Sequence, residues 1–280
     1  MVSLAATSLF SLDGRTAVLT GASGFLGRTF ARTLLSNGAR LIAVGRSERL
    51  DGLAADWAEE FGAGRVRSYR VDMYDLAALS AVLDEIVTTE PAIDVLVNNA
   101  HELGPNSGFN TPEGTLENAP IEHWTRHVTA GLYWPALTVQ KVGPLMKERG
   151  RGSIVNISTM YAQVSPDPRL YEGTSFVNPP GYSSAKAGML AFTRYVASFW
   201  GSYGIRANAI LPGPFSNTED LGPNSVDPAD PFLTRISAKT SLGRTGRAHE
   251  LAGALLFLAS DASSYVTGHA LAVDGGWTAI

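Results

Sequence analysis

Tyr182 and Lys186 stand four residues apart at the start of a strongly helical stretch, so their side chains project from nearly one face, one turn from each other. An ammonium near a phenol favours the phenolate. A phenol drawn toward neutral pH can exchange a proton with an alkoxide or a carbonyl oxygen. The pair therefore suits acid–base work on an alcohol or its carbonyl. Ordinary helices also carry such pairs, so what it means depends on the rest of the chain.

A second cluster lies near the beginning. Thr20-Gly21-Ala22-Ser23-Gly24-Phe25-Leu26-Gly27 follows a β-branched run and opens a helix-period segment. Strand, glycine turn and helix in that order give a pyrophosphate close backbone approach and unpaired N–H groups at a helix N-terminus. Contacts to a dinucleotide are expected from Gly21, Ser23, Gly24, Phe25, Leu26 and Gly27. The next strand runs into Gly45-Arg46-Ser47, where an NAD site typically offers a carboxylate to the ribose 2′-hydroxyl. Arg46 suits a 2′-phosphate instead, which favours NADP over NAD; a solvated loop arginine is the alternative. Asp72, followed by Met73, is placed either to accept a bond from an adenine amino group or to cap the helix near Leu76. Asn98-Asn99-Ala100 closes the fourth strand at the sheet edge where open α/β folds bind ligands, so Asn98 and Ala100 join the expected cofactor contacts.

The elements that must position these groups are legible as an alternation. Strand-like runs span Thr16 to Thr20, Arg40 to Val44, Val66 to Val71, Val95 to Val97, Ser153 to Ile157, Arg206 to Ile210 and Ala270 to Val273. Each reads as apolar on both faces, as strands covered on two sides should be. Helical stretches lie between them, over Phe25 to Asn37, Glu48 to Phe61, Leu76 to Thr89, Ile121 to Lys147, Tyr182 to Tyr203 and Ala248 to Ser260. The alternation predicts a three-layer α/β/α, Rossmann-type doubly wound sheet of about seven parallel strands. No linker or repeat divides the chain, so residues 1–280 are expected to form a single domain. Two irregular stretches, His101 to Pro120 and Pro212 to Arg247, are long enough to carry function.

Composition narrows the classes. A net charge of −4 with mixed signs offers no basic stripe for nucleic acid. No apolar run approaches the roughly 20 residues of a membrane span, and Met1 to Leu12 lacks the basic segment of a secretory signal, so a cytoplasmic address is expected. The absence of cysteine removes disulfides, thiol nucleophiles and thiolate metal sites. The five histidines show no metal-ligand spacing and read as surface or packing residues, so no metal site is expected.

Taken in order, Asp13-Gly14-Arg15, the glycine turn, Asn98-Asn99-Ala100, Ser153 to Ser158, Tyr182-Ser183-Ser184-Ala185-Lys186, Arg206-Ala207-Asn208 with Pro212-Gly213, and Val273-Asp274-Gly275-Gly276 resemble the compact branch of the short-chain dehydrogenase/reductase family. The resemblance covers nearly the whole chain. It implies hydride transfer between a nicotinamide cofactor and the carbonyl or secondary alcohol of a small molecule such as a sugar, polyol or cyclic ketone. Tyr182 would be the general acid/base and Lys186 would also bond the nicotinamide ribose. A hydroxyl after the fifth strand would steady the substrate oxygen; register puts it on Thr159, with Ser158 as competitor. Pro212, Gly213 and Phe215 would lie along the nicotinamide, Asn217 and Thr218 would bond its carboxamide, and the stretch to Arg247 would be a substrate lid. A homotetramer or homodimer, packed through the helices after the fourth and fifth strands, is also implied.

Three departures qualify the resemblance. Thr20 to Gly27 reads T-G-x-x-G-x-x-G with Phe25 where a glycine is expected, a spacing similar to the larger, epimerase-like branch and to an atypical subgroup of the compact one. The asparagine of the family's proton relay falls on Gly131. The segment between Thr159 and Tyr182 is longer than usual, and either shapes a polar pocket through Arg169 or Tyr171 or packs on a neighbouring subunit. The first departure admits a lyase or epimerase that retains its nicotinamide, and the second a dinucleotide sensor without turnover.

Overall fold

The computed structural model describes residues 5–174, 177–218, 227 and 229–280. Its strands are β1 (Thr16–Thr20), β2 (Arg40–Gly45), β3 (Val66–Arg70), β4 (Val95–Asn98), β5 (Gly152–Ile157), β6 (Ile205–Pro212) and β7 (Ala270–Val273). They form one sheet in the order β3-β2-β1-β4-β5-β6-β7, parallel throughout. The helices are α1 (Ala6–Leu9), α2 (Phe25–Ser36), α3 (Arg49–Phe61), α4 (Leu76–Thr89), α5 (Ile121–Val128), α6 (Trp134–Glu148), α7 (Pro180–Trp200), α8 (Pro231–Lys239) and α9 (Ala252–Ala259). None of the described helices is long and apolar enough to cross a membrane.

Three layers follow from the two-residue period of the strands. Leu19, Leu41 and Val97 face Phe30, Leu34 and Leu35 of α2, Trp57 of α3, and Leu255 and Leu258 of α9. Their chain neighbours Val18, Ile42 and Leu96 face Leu79, Leu83 and Ile86 of α4, and Val139, Val142 and Met146 of α6. The central strands are apolar on both faces because each face is covered. The two edge strands depart from that expectation: β3 carries Arg67, Ser68 and Arg70, and neither β3 nor β7 has a fully buried residue. A strand with one neighbour tolerates polar side chains that a central strand cannot.

Strand order reverses at β1, which lies between β2 and β4. The crevice at the carboxyl ends of β1 and β4 is where a doubly wound sheet receives a ligand. Two other differences bear on the site. The helix expected over Ile121 to Lys147 is broken by a π-helical turn, Thr129–Tyr133, between α5 and α6. The stretch from 212 to 247 contains α8, whose start is set by Asp230 accepting a bond from the Phe232 amide, 2.7 Å, with Pro231 in the first turn.

Candidate active site

Gly21 leaves β1 with φ +67°, and a Cβ there would lie 2.8 Å from Ala100 Cα. Gly27, in the first turn of α2, stands where a Cβ would strike the Gly21 carbonyl at 2.0 Å. The glycines are thus fixed by backbone contact, and a dinucleotide can come as close as the turn itself allows. The Gly24 carbonyl receives the Arg28 amide, 3.1 Å, leaving the amides of Phe25, Leu26 and Gly27 as the opening donors of the helix. Asn99, outside the expected contact set, braces the turn: its Nδ2 donates to the carbonyls of Thr20 and Gly21 at 3.0 and 3.1 Å. Thr20 Oγ1 accepts from the amides of Asn99 and Ala100. The side chain of Asn98 turns inward instead. It donates to Asn156 at 2.9 Å and accepts from Thr138 at 2.7 Å, which joins β4 to β5 and α6.

The chemical groups come from β5 and α7. Pro180 occupies the first turn of α7, so the helix begins two residues before Tyr182. Burial pushes the phenol of Tyr182 up to about 12, against a lowering influence from the Thr159 side chain beside it. Lys186, 2 % exposed, donates to the Ile157 carbonyl at 2.7 Å, and burial lowers it to about 7. Spacing alone led to a phenol depressed by the lysine, and here the structure differs. Desolvation dominates both groups, and one ammonium proton is directed to β5. Ser158 Oγ donates to the Lys186 carbonyl, 2.9 Å, so it pins α7 to β5, and of the two hydroxyls Thr159 is the one at the phenol. The ring of His101, next to Ala100, lies 5.1 Å from the Tyr182 ring. Glycine turn, end of β4 and phenol are therefore in continuous contact.

At the adenosine end, Arg46 extends from β2 with its side chain 56 % exposed and pairs with Glu102 at 3.2 Å. Glu102 is buried and also takes Arg126 at 2.7 Å and the Tyr74 hydroxyl at 2.7 Å. Burial would raise its carboxyl, but the hydrogen bonds from Tyr74 and Arg126 outweigh that and hold it below its ordinary value. Asp72 accepts from the Tyr74 amide, 3.0 Å, and is exposed at the end of β3. The cap of α4 is Asp75, which accepts from the Ala78 amide, so Asp72 does not cap that helix. Met73 is buried beside it.

Residues 21–278 match the family described as enoyl-(acyl carrier protein) reductase, of the short-chain dehydrogenase type. Cis-4-hydroxycyclohexanecarboxylate dehydrogenase of Sinomonas cyclohexanicum is 34% identical over 266 residues, 95% of this chain and 97% of that one. The chain belongs to the short-chain dehydrogenase/reductase family. L-rhamnose 1-dehydrogenase (NAD(P)(+)) of Azotobacter vinelandii is 34% identical over 273 residues, again 95% and 97% of the two chains. The crystal structure of a gluconate 5-dehydrogenase from Burkholderia cenocepacia in complex with NADP and tartrate superposes with TM-score 0.82 at 29% identity, covering 99% of this chain and all of that one. As a short-chain dehydrogenase/reductase, the protein is a nicotinamide-dependent oxidoreductase acting on CH–OH groups and the corresponding carbonyls.

Where this member departs from the family pattern, the structure gives physical reasons. Gly131 lies in the π-helical turn, and a Cβ there would meet the Ala185 Cβ at 2.8 Å; the glycine lets α7 close on the turn. In the long segment before Tyr182, Arg169 faces solvent, 80 % exposed, and pairs with Asp167, so of the two expected pocket residues only Tyr171 is inward. Tyr171 is buried, packs on Phe232 at 5.4 Å, and adds to the upward push on the Tyr182 hydroxyl. The segment docks on the chain's own α8: Asp167 accepts from Lys239 at 2.8 Å and the Leu170 carbonyl from Arg235 at 2.8 Å. Leu170, Tyr171, Ile236 and Trp277 form a small core beneath. Pro212 ends β6, the Gly213 amide donates to the Val273 carbonyl at 3.0 Å, and Phe215 bridges to Gly246. Asn217 lines one groove together with Phe25, Arg28 and Trp57. Thr218 is the last described residue before 219–226, which with 228 lie outside the described residues. Two histidines read from sequence as surface or packing residues, His101 and His127, flank Tyr182.

Proposed function

We propose that this protein interconverts a secondary alcohol and a ketone of a sugar, sugar acid or polyol, with NADP favoured over NAD. The observation that carries the reading is the pair on α7 at the glycine-turn crevice: Tyr182, whose phenol the Thr159 side chain influences, and Lys186 one helical turn on, anchored to the Ile157 carbonyl. The glycine cradle, where a side chain at Gly27 would collide with the turn, fits a pyrophosphate. Arg46, half exposed and steadied by Glu102, fits a 2′-phosphate. The bound dinucleotide supplies or accepts the hydride.

The chain's own groups handle the proton. At neutral pH the Tyr182 hydroxyl keeps its hydrogen, the form needed to protonate the oxygen of a carbonyl under reduction. Thr159 Oγ1 holds that oxygen beside the phenol, and Lys186, anchored to Ile157, bonds the nicotinamide ribose. Ser158 serves the same wall by tying α7 to β5. Pro212, Gly213 and Phe215 line the nicotinamide side, with Asn217 and Thr218 toward its carboxamide. Residues 212–247 act as a substrate lid within a single-domain chain. The relatives named above include a sugar dehydrogenase and a gluconate dehydrogenase, and the phenols of Tyr161 and Tyr171 near Tyr182 suit a hydroxyl-rich substrate.

The reading extends to a cytoplasmic homodimer or homotetramer. Tyr195 and Phe199 stack at 4.2 Å on the outer face of α7 and are more than half exposed, as is Tyr133 before α6; such a face is suited to a second copy. Titration with NADPH and NADH, followed by a panel of polyols, sugar acids and cyclic ketones under absorbance detection, tests the whole reading. Tighter NADPH binding and turnover of a hydroxyl-rich compound are expected. Protein that binds neither dinucleotide would overturn it.

A further inference from the structure

The roles above leave His101 and His127 unused. His101 follows Ala100 at the end of β4, and His127 sits in the last turn of α5. Their rings stack with centroids 5.5 Å apart, and both abut Tyr182. Their hydrogen bonds fix which nitrogens carry hydrogen. His127 Nε2 is 2.8 Å from the Ser107 carbonyl oxygen, which can only accept, so Nε2 is the donor. Burial lowers His127 to about 4, so at neutral pH the ring is neutral and its Nδ1 is bare.

His101 Nε2 lies 3.2 Å from that Nδ1 and must donate to it. His101 is neutral too, because burial, with Lys186 and His127 close by, keeps it well below its ordinary value. Its hydrogen is therefore committed at Nε2, and Nδ1 is a bare acceptor. That Nδ1 is buried and has no hydrogen-bond partner among the described residues. A buried acceptor left unpaired is costly. Here two rings and a carbonyl hold it in that state beside the groups that handle the proton.

We propose that His101 Nδ1 is a preset acceptor for a hydroxyl group that a ligand brings to Tyr182 and Lys186. The hydroxyl comes either from the ribose of the dinucleotide or from the carbon next to the reacting one in a polyol. The proposal rests on the oxidoreductase reading and adds a specificity: a ligand without that hydroxyl leaves the acceptor unpaired and binds less well. Because His127 and Ser107 lock the tautomer, His127 is a positioning residue that acts through His101.

Nitrogen-15 NMR of the imidazoles in the intact protein tests the premise. The ligand-free enzyme should show His101 as the Nε2–H tautomer, with an Nδ1 resonance that moves toward its hydrogen-bonded position on adding NADP or, in the binary complex, a polyol. A protonated Nδ1 in the ligand-free protein overturns the proposal. The sources separate on His101→Phe, which removes both nitrogens, and His101→Asn, which keeps an acceptor near the Nδ1 position. If the ribose is the donor, His101→Phe weakens NADPH binding roughly tenfold, the weight of one hydrogen bond, and His101→Asn recovers most of it. If the substrate is the donor, NADPH binding holds while KM for a vicinal diol rises by a similar factor with kcat little changed, and KM for the deoxy analogue stays put. His127→Phe should reproduce the same loss by freeing the tautomer. Unchanged NADPH affinity together with an unchanged diol-to-deoxy ratio in folded His101→Phe sinks this proposal alone, whereas wild-type protein that binds no dinucleotide sinks the oxidoreductase reading beneath it.

Discussion

One wall of the cleft is made of strand ends and the inner face of α7; the other, among the described residues, is made of 160–174 and 177–179 together with 212–218 and 229–247. In the first wall, side chains bond to backbone of the sheet: Lys186 to Ile157, Ser158 to Lys186, Asn99 to Thr20 and Gly21. In the second, loop bonds to α8, through Asp167 with Lys239 and Leu170 with Arg235, over a small core of its own. The difference separates two tasks. Chemistry needs groups held against a rigid frame, whereas substrate selection can be built on a unit that shifts as one piece.

If that division holds, the largest losses come from the sheet wall. Tyr182→Phe should lower kcat by about 10³-fold, within the range for loss of a general acid, with NADPH affinity retained in a fluorescence titration. Thr159→Ala should cost roughly 10²-fold in kcat, as for loss of one donor at a developing oxyanion. Ser158→Ala should leave kcat within about threefold and act mainly on stability, since its bond joins backbone of α7 to β5. Equal losses at 158 and 159 would erase the distinction drawn between them.

Smaller effects test the margins. Arg46→Gln should weaken NADPH binding about tenfold, the order expected of a charge-assisted bond to phosphate, and leave NADH binding unchanged. A pH dependence follows from Lys186, lowered from 10.5 to about 7 by burial. Between those values the unfolded chain holds a proton that the folded one lacks, so the stability of the ligand-free protein should rise with pH across that window. Lys186→Met should flatten the rise in urea midpoints measured at pH 7 and 9. On the second wall, Lys239→Gln breaks one partly exposed ion pair and should shift KM by less than about threefold with kcat unchanged; a large kcat effect there would mean that α8 also positions the reacting groups.

The two walls were also unequally legible in the sequence. β1, β7 and α4 are legible to the residue because short apolar runs and a helical pattern run up to clear turns, and Tyr182, Lys186 and the glycine turn carry local signals. α8 was missed although Asp230-Pro231 is a helix-start signal, since the surrounding Pro, Gly and Asn masked it. The break between α5 and α6 carries no local signal: Gly131 is explained by Ala185, a residue of another helix. Glu102, His101 and His127 were passed over for the same reason, as their partners come from α5, β2 and the stretch after β4, and no spacing along the chain encodes those meetings. The inward turn of Asn98 depends likewise on Asn156 and Thr138.

A crystal structure of the complex with NADP bears most directly on the account. It should show the pyrophosphate on the turn from Gly21 to Gly27 and the nicotinamide carbon that carries the hydride facing the Tyr182 hydroxyl, with Thr159 on the same side. A nicotinamide lying away from Tyr182, or a dinucleotide seated outside the crevice between β1 and β4, would contradict it.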